Sequence, residues 1–198
     1  MIAKRVFDLF FSLVSIAILL PLFVAIAAWI KLDSPGPIFF RQIRIGQFGH
    51  EFTIYKFRTM VANAEALGKQ ITATHDQRIT RSGQFLRKYK LDELPQLFNV
   101  LKGEMSFVGP RPEVPKYVAL YTTDQLRVLE VPPGITDLAS IQFRNEGDLL
   151  VNTPNPEEIY IQEIMPQKLE LNRQYITQAS LGFDLLLILK TLWQVIAV

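Results

Sequence analysis

The sequence VFDLFFSLVSIAILLPLFVAIAAWI, at residues 6–30, decides the fold of this chain because nearly all of its residues are apolar. As a single helix it is long enough to cross the hydrocarbon core of a membrane, which is about 30 Å thick. We therefore expect a membrane segment near the N-terminus, followed by one compact region outside the bilayer.

Three details distinguish this segment from a plain membrane span. Pro21 lies in its middle, where a proline removes a backbone hydrogen bond and kinks the helix. A narrow polar stripe enters the apolar stretch and should face protein, headgroups or water; it consists of Lys4, Arg5, Asp8, Ser12 and Ser15. Asp8 is one helical turn from Lys4 and Arg5 and is predicted to pair with one of them. Basic residues flank both ends, so the positive-inside tendency favours a helix that enters the bilayer, bends at Pro21 and returns to the same face.

Two other interpretations of the segment remain open. It could be an ordinary signal anchor that crosses the membrane once. It could also be a cleavable signal peptide, because Ala25-Ile26-Ala27 matches the small-x-small pattern of cleavage sites. Asp8, inside the apolar stretch, counts against cleavage.

The composition excludes several kinds of site. The chain has 198 residues, is 49% hydrophobic and contains no cysteine, which rules out disulfides and zinc–thiolate sites. Its only histidines, His50 and His75, are far apart in sequence, so a histidine metal cluster or a Ser-His-Asp triad is not expected. The net charge is only +2, but basic residues cluster at 41–58 and 78–90, which suits an anionic partner.

Beyond the membrane segment, the pattern predicts an α/β fold that is rich in helix and has short strands. A Ser34-Pro35-Gly36-Pro37 turn ends the membrane segment. Strands are predicted at residues 38–40 and 52–55, and an exposed loop at 152–156. Helices are predicted at residues 63–68, 81–89, 93–101, 114–121, 124–129, 156–164 and 181–198. The last helix is apolar except on one side and suits a membrane interface.

The most suggestive local arrangement is the pair Asp92-Glu93, which follows the basic residues Arg87-Lys88. An ionised aspartate near cations can act as a nucleophile toward phosphorus. A second carboxylate beside it could help to hold Mg²⁺. The alternative is purely structural, because aspartate is a common helix cap and glutamate a common first-turn residue.

Several other polar residues are candidates for binding phosphate. Arg111 lies between Pro110 and Pro112, which present its guanidinium rigidly for bidentate phosphate binding. Lys56 and Arg58 would share one face of a strand. Arg44 follows the membrane segment, as does Arg41, and either could hold an anionic headgroup. Asp184 lies in the apolar C-terminal helix and must be paired or metal-bound if it is buried. Each of these could instead make a structural ion pair, a cap or a solvated face.

Taken together, these motifs resemble the bacterial sugar transferases, the monotopic polyprenyl-phosphate phosphoglycosyl transferases. The resemblance covers nearly the whole chain, and the order of the motifs is more specific than any one of them. The motifs are KRVFD (4–8), Pro21, PGPIF (35–39), QIRIG (42–46), KFRTM (56–60), LDELPQL with Asn99 (91–99), KG (102–103), MSFVGPRP (105–112), PGIT (133–136) and Arg144-Asn145.

The resemblance implies a re-entrant membrane helix at 1–33 and a cytoplasmic catalytic region at 34–198 that carries helices at the surface of the bacterial inner membrane. It implies transfer of a sugar 1-phosphate from a UDP-sugar to a polyprenyl phosphate, the first membrane step in making exopolysaccharide, lipopolysaccharide or another glycoconjugate. Asp92 matches the nucleophile, which forms a phosphosugar ester in a ping-pong reaction that needs Mg²⁺. Glu93 matches the second catalytic carboxylate, and both are candidate metal ligands.

Lys56, Arg111 and Asp184 match further functional polar positions of the family, and Arg144 matches a later Arg-Asn pair. Arg58 and Arg44 lie within matching motifs, and all six residues are candidates for binding substrate or phosphate. The resemblance implies no nucleic-acid partner and allows for a homodimer.

The chain departs from the family pattern in three places. Leu20 precedes the kink proline where a serine is common, residues 137–140 replace a common Gly-aromatic continuation, and residues 147–167 look longer than in compact members. We therefore assign no sugar. Two non-catalytic alternatives remain: a membrane-anchored module that binds lipid or nucleic acid, and a scaffold protein. Neither predicts a covalent phosphate on Asp92.

Overall fold

A computed structural model of the chain describes residues 2–64, 76–144, 147 and 155–197. The predicted fold class is confirmed, because helices dominate and the strands are short. The helices are α1 (Ile2–Asp33), α2 (Arg81–Lys88), α3 (Gln96–Lys102), α4 (Pro115–Val118), α5 (Leu138–Gln142), α6 (Pro156–Ile159), α7 (Met165–Gln178) and α8 (Leu181–Ile196). The strands are β1 (Phe39–Ile45), β2 (Glu51–Phe57), β3 (Ser106–Val108) and β4 (Gly134–Thr136). A π-helical turn, Tyr160–Ile164, joins α6 to α7.

Helix α1 is long and apolar enough to cross a membrane, and it contains Pro21. Its polar stripe faces protein, as predicted: Asp8 and Ser12 are buried, and an Asp8 carboxylate oxygen accepts a hydrogen bond from the Phe107 backbone N–H at 3.2 Å. The predicted pairing of Asp8 with Lys4 or Arg5 is wrong. Lys4 pairs instead with a distant residue, and Arg5 donates to the carbonyls that end α3.

Strands β1 and β2 form an antiparallel hairpin in which Phe39 pairs with Phe57 and Ile45 with Glu51. Both strands are longer than predicted, because pairing extends beyond the apolar residues that mark them in the sequence. Asn99 of α3 fixes the hairpin: its amide donates to the Thr53 carbonyl at 2.8 Å, and its carbonyl accepts from a β2 backbone N–H.

Strands β3 and β4 are a parallel pair that the sequence did not predict. Each has only three residues, too few to show the alternation by which strands are recognised. They approach closely at Gly109 and Gly134, where a Cβ on Gly134 would lie 2.1 Å from the Gly109 nitrogen. Because neither glycine has a side chain, the two backbones can lie this close together. The loop that follows β3, residues 110–112, lies beside the hairpin.

Helix α1 contributes to the core of the protein. Its C-terminal half buries Phe23, Ile26 and Ile30 against residues of the hairpin, α2 and α3. A second core lies between α4, the segment after it, and α7. The membrane segment and the body are thus packed as one structure.

Several predicted elements differ in detail. The helix predicted at 93–101 begins at Gln96, and residues 91–93 form a separate 3₁₀ turn, so Asp92 is not a helix cap. Gly103 ends that helix with a positive φ of 91°, a conformation that glycine adopts readily. The helix predicted at 114–121 is only one turn long, and in place of the helix predicted at 124–129 a 3₁₀ helix runs over Gln125–Glu130. The predictions for 63–68 and 152–156 fall mostly outside the described residues.

Candidate active site

The two adjacent carboxylates lie in a large cleft bounded by α1, the hairpin, α2, the 110–112 loop and α8. Lys90, with a left-handed φ of 55°, ends the segment after α2 and starts the 3₁₀ turn Leu91–Glu93. Consecutive residues of such a turn point about 120° apart. The turn therefore places Asp92 and Glu93 side by side with different surroundings.

Asp92 is buried, being only 8% exposed, and it faces the cleft. Within the described part of the chain its carboxylate makes no hydrogen bond and no ion pair. Burial raises the pKa of Asp92, and the neighbouring charge of Glu93 raises it further, while Lys56, Arg87 and Lys90 oppose the shift. A carboxylate without a partner, held near cations, is available to attack an electrophile.

Glu93 has the opposite environment. Its Oε1 accepts a hydrogen bond from Lys56 Nζ at 2.7 Å and another from Arg111 Nη2, and its Oε2 accepts from Arg111 Nη1 at 3.3 Å. Burial by itself would raise the pKa of Glu93, but the charges of Arg111 and Lys56 outweigh it and hold the pKa well below its ordinary range. Glu93 is thus an ionised anchor for two cations.

Arg111 is fixed by its backbone as well as by Glu93. Its backbone N–H donates to the Asp137 carboxylate at 2.7 Å, and Asp137, which is fully buried, also caps α5. The charge of Glu93 raises the pKa of Arg111. The Arg111 side chain is 31% exposed on the cleft, so its guanidinium can still meet a phosphate.

Arg44 supports the same loop. Its Nη1 donates to the Pro112 carbonyl at 3.0 Å and lies 3.6 Å from the Glu113 carboxylate, and its Nη2 donates to Gln42 at 2.6 Å. It lines the cleft, as a phosphate-binding role requires, but these bonds show that it also braces the loop that carries Arg111.

The side chains of two predicted binding residues make hydrogen bonds or ion pairs with other elements of the fold. Arg58 is 4% exposed, and its guanidinium donates to the carbonyls of Pro35 at 2.5 Å and Ser34 at 2.8 Å at the C-terminal end of α1. Asp184 is 3% exposed and lies outside the cleft, where it pairs with Lys4 and accepts a hydrogen bond from the Tyr175 hydroxyl at 2.7 Å. Both residues therefore join elements of the fold; Arg58 also lines the cleft, whereas Asp184 does not, and their role in binding substrate stays a prediction.

One cation near Asp92 was not singled out from the sequence. Arg87 lines the cleft, donates to the Thr59 hydroxyl at 2.9 Å, and is close enough for Asp92 to raise its pKa, although burial dominates and lowers it. The basic pair Arg87-Lys88 was visible in the sequence, but which of the two faces the site depends on how α2 packs. Arg144, a predicted binding residue, lines the far side of the cleft and has no polar partner among the described residues.

The described residues contain no group of three or more aspartate, glutamate, histidine or cysteine side chains that could hold a metal by itself. Asp92 is the open carboxylate at the site, whereas both oxygens of Glu93 already accept hydrogen bonds from cations. Magnesium commonly binds through one or two carboxylates together with water and substrate phosphates. The donor set therefore fits Mg²⁺ only when a phosphate-bearing substrate supplies further oxygens.

The cleft has a volume of about 2360 Å³. Small-molecule sites are commonly about 300–1,000 Å³, so this cleft has room for more than one substrate. Its centre carries charged side chains, and the walls towards α1 and α8 are apolar. Such a site can hold an anionic group and an apolar group next to the buried carboxylate of Asp92.

A family model described as bacterial sugar transferase matches residues 1–198. The chain is 38% identical over 193 residues to the UDP-N-acetylgalactosamine-undecaprenyl-phosphate N-acetylgalactosaminephosphotransferase of Aeromonas hydrophila, covering 96% of this chain and 42% of that protein. It is 38% identical over 195 residues to the UDP-glucose:undecaprenyl-phosphate glucose-1-phosphate transferase of Xanthomonas campestris pv. campestris, covering 96% and 38%. It is 43% identical over 145 residues to the uncharacterized sugar transferase EpsL of Bacillus subtilis (strain 168), covering 73% and 71%. The chain thus spans about two fifths of the first two relatives.

Proposed function

The chain belongs to the bacterial sugar transferase family, and from this premise we propose that it transfers a sugar 1-phosphate from a UDP-sugar to a polyprenyl phosphate. The products are a polyprenyl-diphospho-sugar and UMP. The names of the Aeromonas and Xanthomonas relatives support this reaction type, and they differ in the sugar. The sugar for this chain is therefore left open.

The first step of the proposed reaction uses Asp92 as the nucleophile. An Oδ of Asp92 attacks the sugar-bearing phosphorus of the UDP-sugar, and the bond from that phosphorus to the oxygen bridging to UMP breaks. UMP leaves with the electron pair, and a phosphosugar ester remains on Asp92. The observation that carries this proposal is that Asp92 is buried at the cleft without a partner while its neighbour Glu93 is fully paired.

The second step regenerates the enzyme. A phosphate oxygen of the polyprenyl phosphate attacks the esterified phosphorus, and the bond from phosphorus to the Asp92 oxygen breaks. The carboxylate is restored and the polyprenyl-diphospho-sugar is released. One cleft with room for both substrates suits such an exchange.

Cations around Asp92 stabilise the negative charge that spreads over the transferring phosphoryl group. Arg111 and Lys56 are held in place by Glu93, and Arg87 approaches from α2. Because the cations are fixed before substrate binds, they need little rearrangement during the reaction, which is the basis of electrostatic catalysis.

We propose Mg²⁺ as the cofactor, with Asp92 the better placed of the two predicted ligands. Glu93 is the weaker candidate because Lys56 and Arg111 occupy its oxygens. When bound, the ion would neutralise charge on the diphosphate of the UDP-sugar. UMP release should stop on chelation of divalent cations and resume when Mg²⁺ is restored; full activity in chelator would contradict this proposal.

The covalent intermediate can be tested directly. Purified protein incubated with a UDP-sugar and Mg²⁺, without acceptor, should gain the mass of one sugar phosphate on the peptide that contains Asp92. Asp92→Asn should gain none, whereas Asp124→Asn, a change at an exposed ion pair, should gain it normally. Product formation by the wild type without any mass gain at Asp92 would overturn the mechanism.

The proposed location is the bacterial cytoplasmic membrane, with the body on the cytoplasmic face. Both ends of α1 contact the body: Arg5 donates to the carbonyls of Val100 and Leu101, and the Asp33 carboxylate accepts from Ser82 at 2.8 Å. A straight helix of 32 residues would be about 48 Å long, so contacts at both ends favour a re-entrant helix over a span.

Because the chain has no native cysteine, single cysteines can test this topology. In intact inverted membrane vesicles, Ala3→Cys and His50→Cys should both react with a membrane-impermeant maleimide, and the exposed mid-helix Ile18→Cys should not. Labelling of the first two from opposite sides would exclude the re-entrant form. A homodimer stays a prediction.

A further inference from the structure

We propose that the polyprenyl chain of the acceptor lies in an apolar groove between α1 and α8, with its phosphate directed towards Asp92. This inference rests on the proposed function, because it takes the acceptor to be a polyprenyl phosphate. It adds which walls of the cleft receive the lipid.

The first wall of the groove is one side of α1. Four residues at intervals of four line the cleft there: Phe7, Phe11, Ser15 and Leu19. Residues spaced by four in a helix lie above one another on the same side. Ser15 is the one small residue in this row, so it leaves space beside three large apolar side chains.

The opposite wall is one side of α8. Leu185, Ile188 and Leu192 line the same cleft, and their spacing of three and four places them on one helical face. Thr191, on the same face, is hydrogen-bonded to Thr136 of β4 at 2.6 Å, which fixes α8 against the body. The position of this wall is therefore set by its contact with β4.

The ion pair between Lys4 and Asp184 ties the beginnings of the two helices together. Beyond this pair each helix carries its own apolar row along the cleft. The outer faces are apolar and exposed as well, with Leu13 58% exposed on α1 and Leu189 64% exposed on α8. A lipid chain could thus pass from the bilayer into the groove without leaving apolar surroundings.

The floor of the groove connects it to the reactive centre. Phe107 of β3 and Ile135 of β4 line the cleft between the walls, together with Leu94, two residues after Asp92. Phe107 packs against Phe7 with ring centroids 6.1 Å apart. The cations Lys56 and Arg111 line the same cleft, so it offers both apolar and cationic surface to a ligand with an apolar chain and an anionic head.

The remaining walls of the cleft have a different character. Lys116, Arg144 and Lys168 line the side formed by α4, α5 and α7, and they suit the anionic donor better than a hydrocarbon chain. The donor and the acceptor chain would then approach Asp92 from different sides. This separation fits a reaction in which UMP leaves before the acceptor phosphate attacks.

Substitutions that fill the groove test the inference. Ser15→Trp on α1 and Ile188→Trp on α8 should each lower kcat/KM for undecaprenyl phosphate by at least about tenfold, because a bulky side chain on a groove wall takes up space that the lipid chain needs. The loss should be much smaller with geranyl phosphate, whose short chain needs less of the groove. Leu13→Trp and Leu189→Trp add the same bulk on the exposed outer faces and should behave as the wild type.

The donor half-reaction separates this inference from the proposed function. Exchange of labelled UMP into UDP-sugar, measured without acceptor, should persist in Ser15→Trp and Ile188→Trp, which also reports that both variants are folded. If both variants used undecaprenyl phosphate as well as their controls do, or lost activity equally with both acceptors, the groove would be assigned wrongly. If the wild type formed no lipid-linked product with any UDP-sugar, the proposed function itself would fail.

Discussion

At the scale of single residues, two neighbouring carboxylates are driven to opposite behaviour by their surroundings. Burial and the charge of Glu93 raise the pKa of Asp92, whereas Arg111 and Lys56 hold the pKa of Glu93 well below its ordinary range. Such divergence within one site commonly marks a division of chemical roles. Here it supports the proposal that Asp92 supplies the attacking oxygen, while Glu93 holds the cations Lys56 and Arg111.

The raised pKa of Asp92 has a consequence for stability. A carboxyl whose pKa is higher in the folded than in the unfolded state favours folding when protonated, and this contribution is lost as pH rises through the folded pKa. At neutral pH the ionised Asp92 therefore costs stability. We expect Asp92→Asn to raise the unfolding temperature by about 2–4 °C, the shift that about 1 kcal/mol produces in a protein of this size.

The rise in unfolding temperature caused by Asp92→Asn should be smaller at acidic pH, where wild-type Asp92 becomes protonated. Thermal unfolding in detergent, at neutral pH and at a pH near the ordinary carboxyl pKa, would measure the change in unfolding temperature under both conditions. Asp124→Asn is the exposed control. A lower unfolding temperature for Asp92→Asn at neutral pH would mean that Asp92 makes a structural bond.

Glu93→Gln should have the opposite effect on stability. It leaves Lys56 and Arg111 without their anion, and breaking a buried pair costs about 3–5 kcal/mol. Because Arg111 is 31% exposed, we expect a smaller loss of about 2–3 kcal/mol in the free energy of unfolding. Activity should fall by about 10²–10³, as on losing a fixed electrostatic group.

The stability difference for Glu93 should also depend on pH. The contribution of a carboxylate with a lowered pKa is present above the unfolded pKa and is lost as pH falls through the folded one, so wild type and variant should converge in acid. Denaturant unfolding over this range measures it, and Glu130→Gln, at a 61% exposed side chain, is the control. A Glu93→Gln protein as stable as this control would show that the two ion pairs are not formed.

At the scale of elements, a polar clasp joins the first helix, the last helix and β3. Lys4 donates to the Asp184 carboxylate and to the Val108 carbonyl at 3.0 Å, and the Tyr175 hydroxyl donates to Asp184 at 2.7 Å. Val108 lies three residues before Arg111. The clasp thereby fixes both walls of the proposed groove and the strand that leads into the phosphate-binding loop.

A double-mutant cycle should reveal the clasp. Asp184→Asn leaves a Lys4 side chain that is only 14% exposed without its counter-charge, and the free energy of unfolding should fall by about 2–4 kcal/mol. Combining Lys4→Met with the same Asp184→Asn should recover much of that loss, because no buried charge is then left unpaired. The exposed pair Arg127–Asp124, at 4.0 Å, should show almost no coupling. Equal coupling in the two cycles would argue against the clasp.

At the scale of the whole molecule, the membrane segment is also part of the core. Phe23, Ile26 and Ile30 of α1 are at least 93% buried. They pack with residues of the hairpin, α2 and α3, namely Phe57, Leu86 and Leu97. Arg58 secures this packing by donating to the carbonyls at the end of α1. The sequence divides into a segment at 1–33 and a region at 34–198, but in the structure the two share one hydrophobic core.

Removing α1 should therefore do more than release the protein from the membrane. Burial of a large apolar side chain contributes about 1.5–3 kcal/mol, so three such residues contribute roughly as much as the whole stability of a small protein, about 5–15 kcal/mol. Residues 34–198 alone should show no cooperative thermal transition by circular dichroism. Full-length protein carrying Ile18→Ser and Val24→Ser, at exposed positions of α1, should keep its transition. A stable, cooperatively folding fragment would contradict this view.

The sequence by itself determined the apolar helix with its polar stripe, the two strands of the hairpin, α2, the acidic pair Asp92-Glu93, and Arg111 between its two prolines. These features follow from hydrophobicity, proline and glycine geometry and residue spacing, all of which act over a few positions of the chain. Only the tertiary structure decided that Asp92 is unpaired while Glu93 holds Lys56 and Arg111, and that Arg58 and Asp184 join helices. It also decided the pairing of β3 with β4. The physical reason is that a charged side chain takes its partner from whatever group packing brings near, and Lys4 and Asp184 are 180 positions apart.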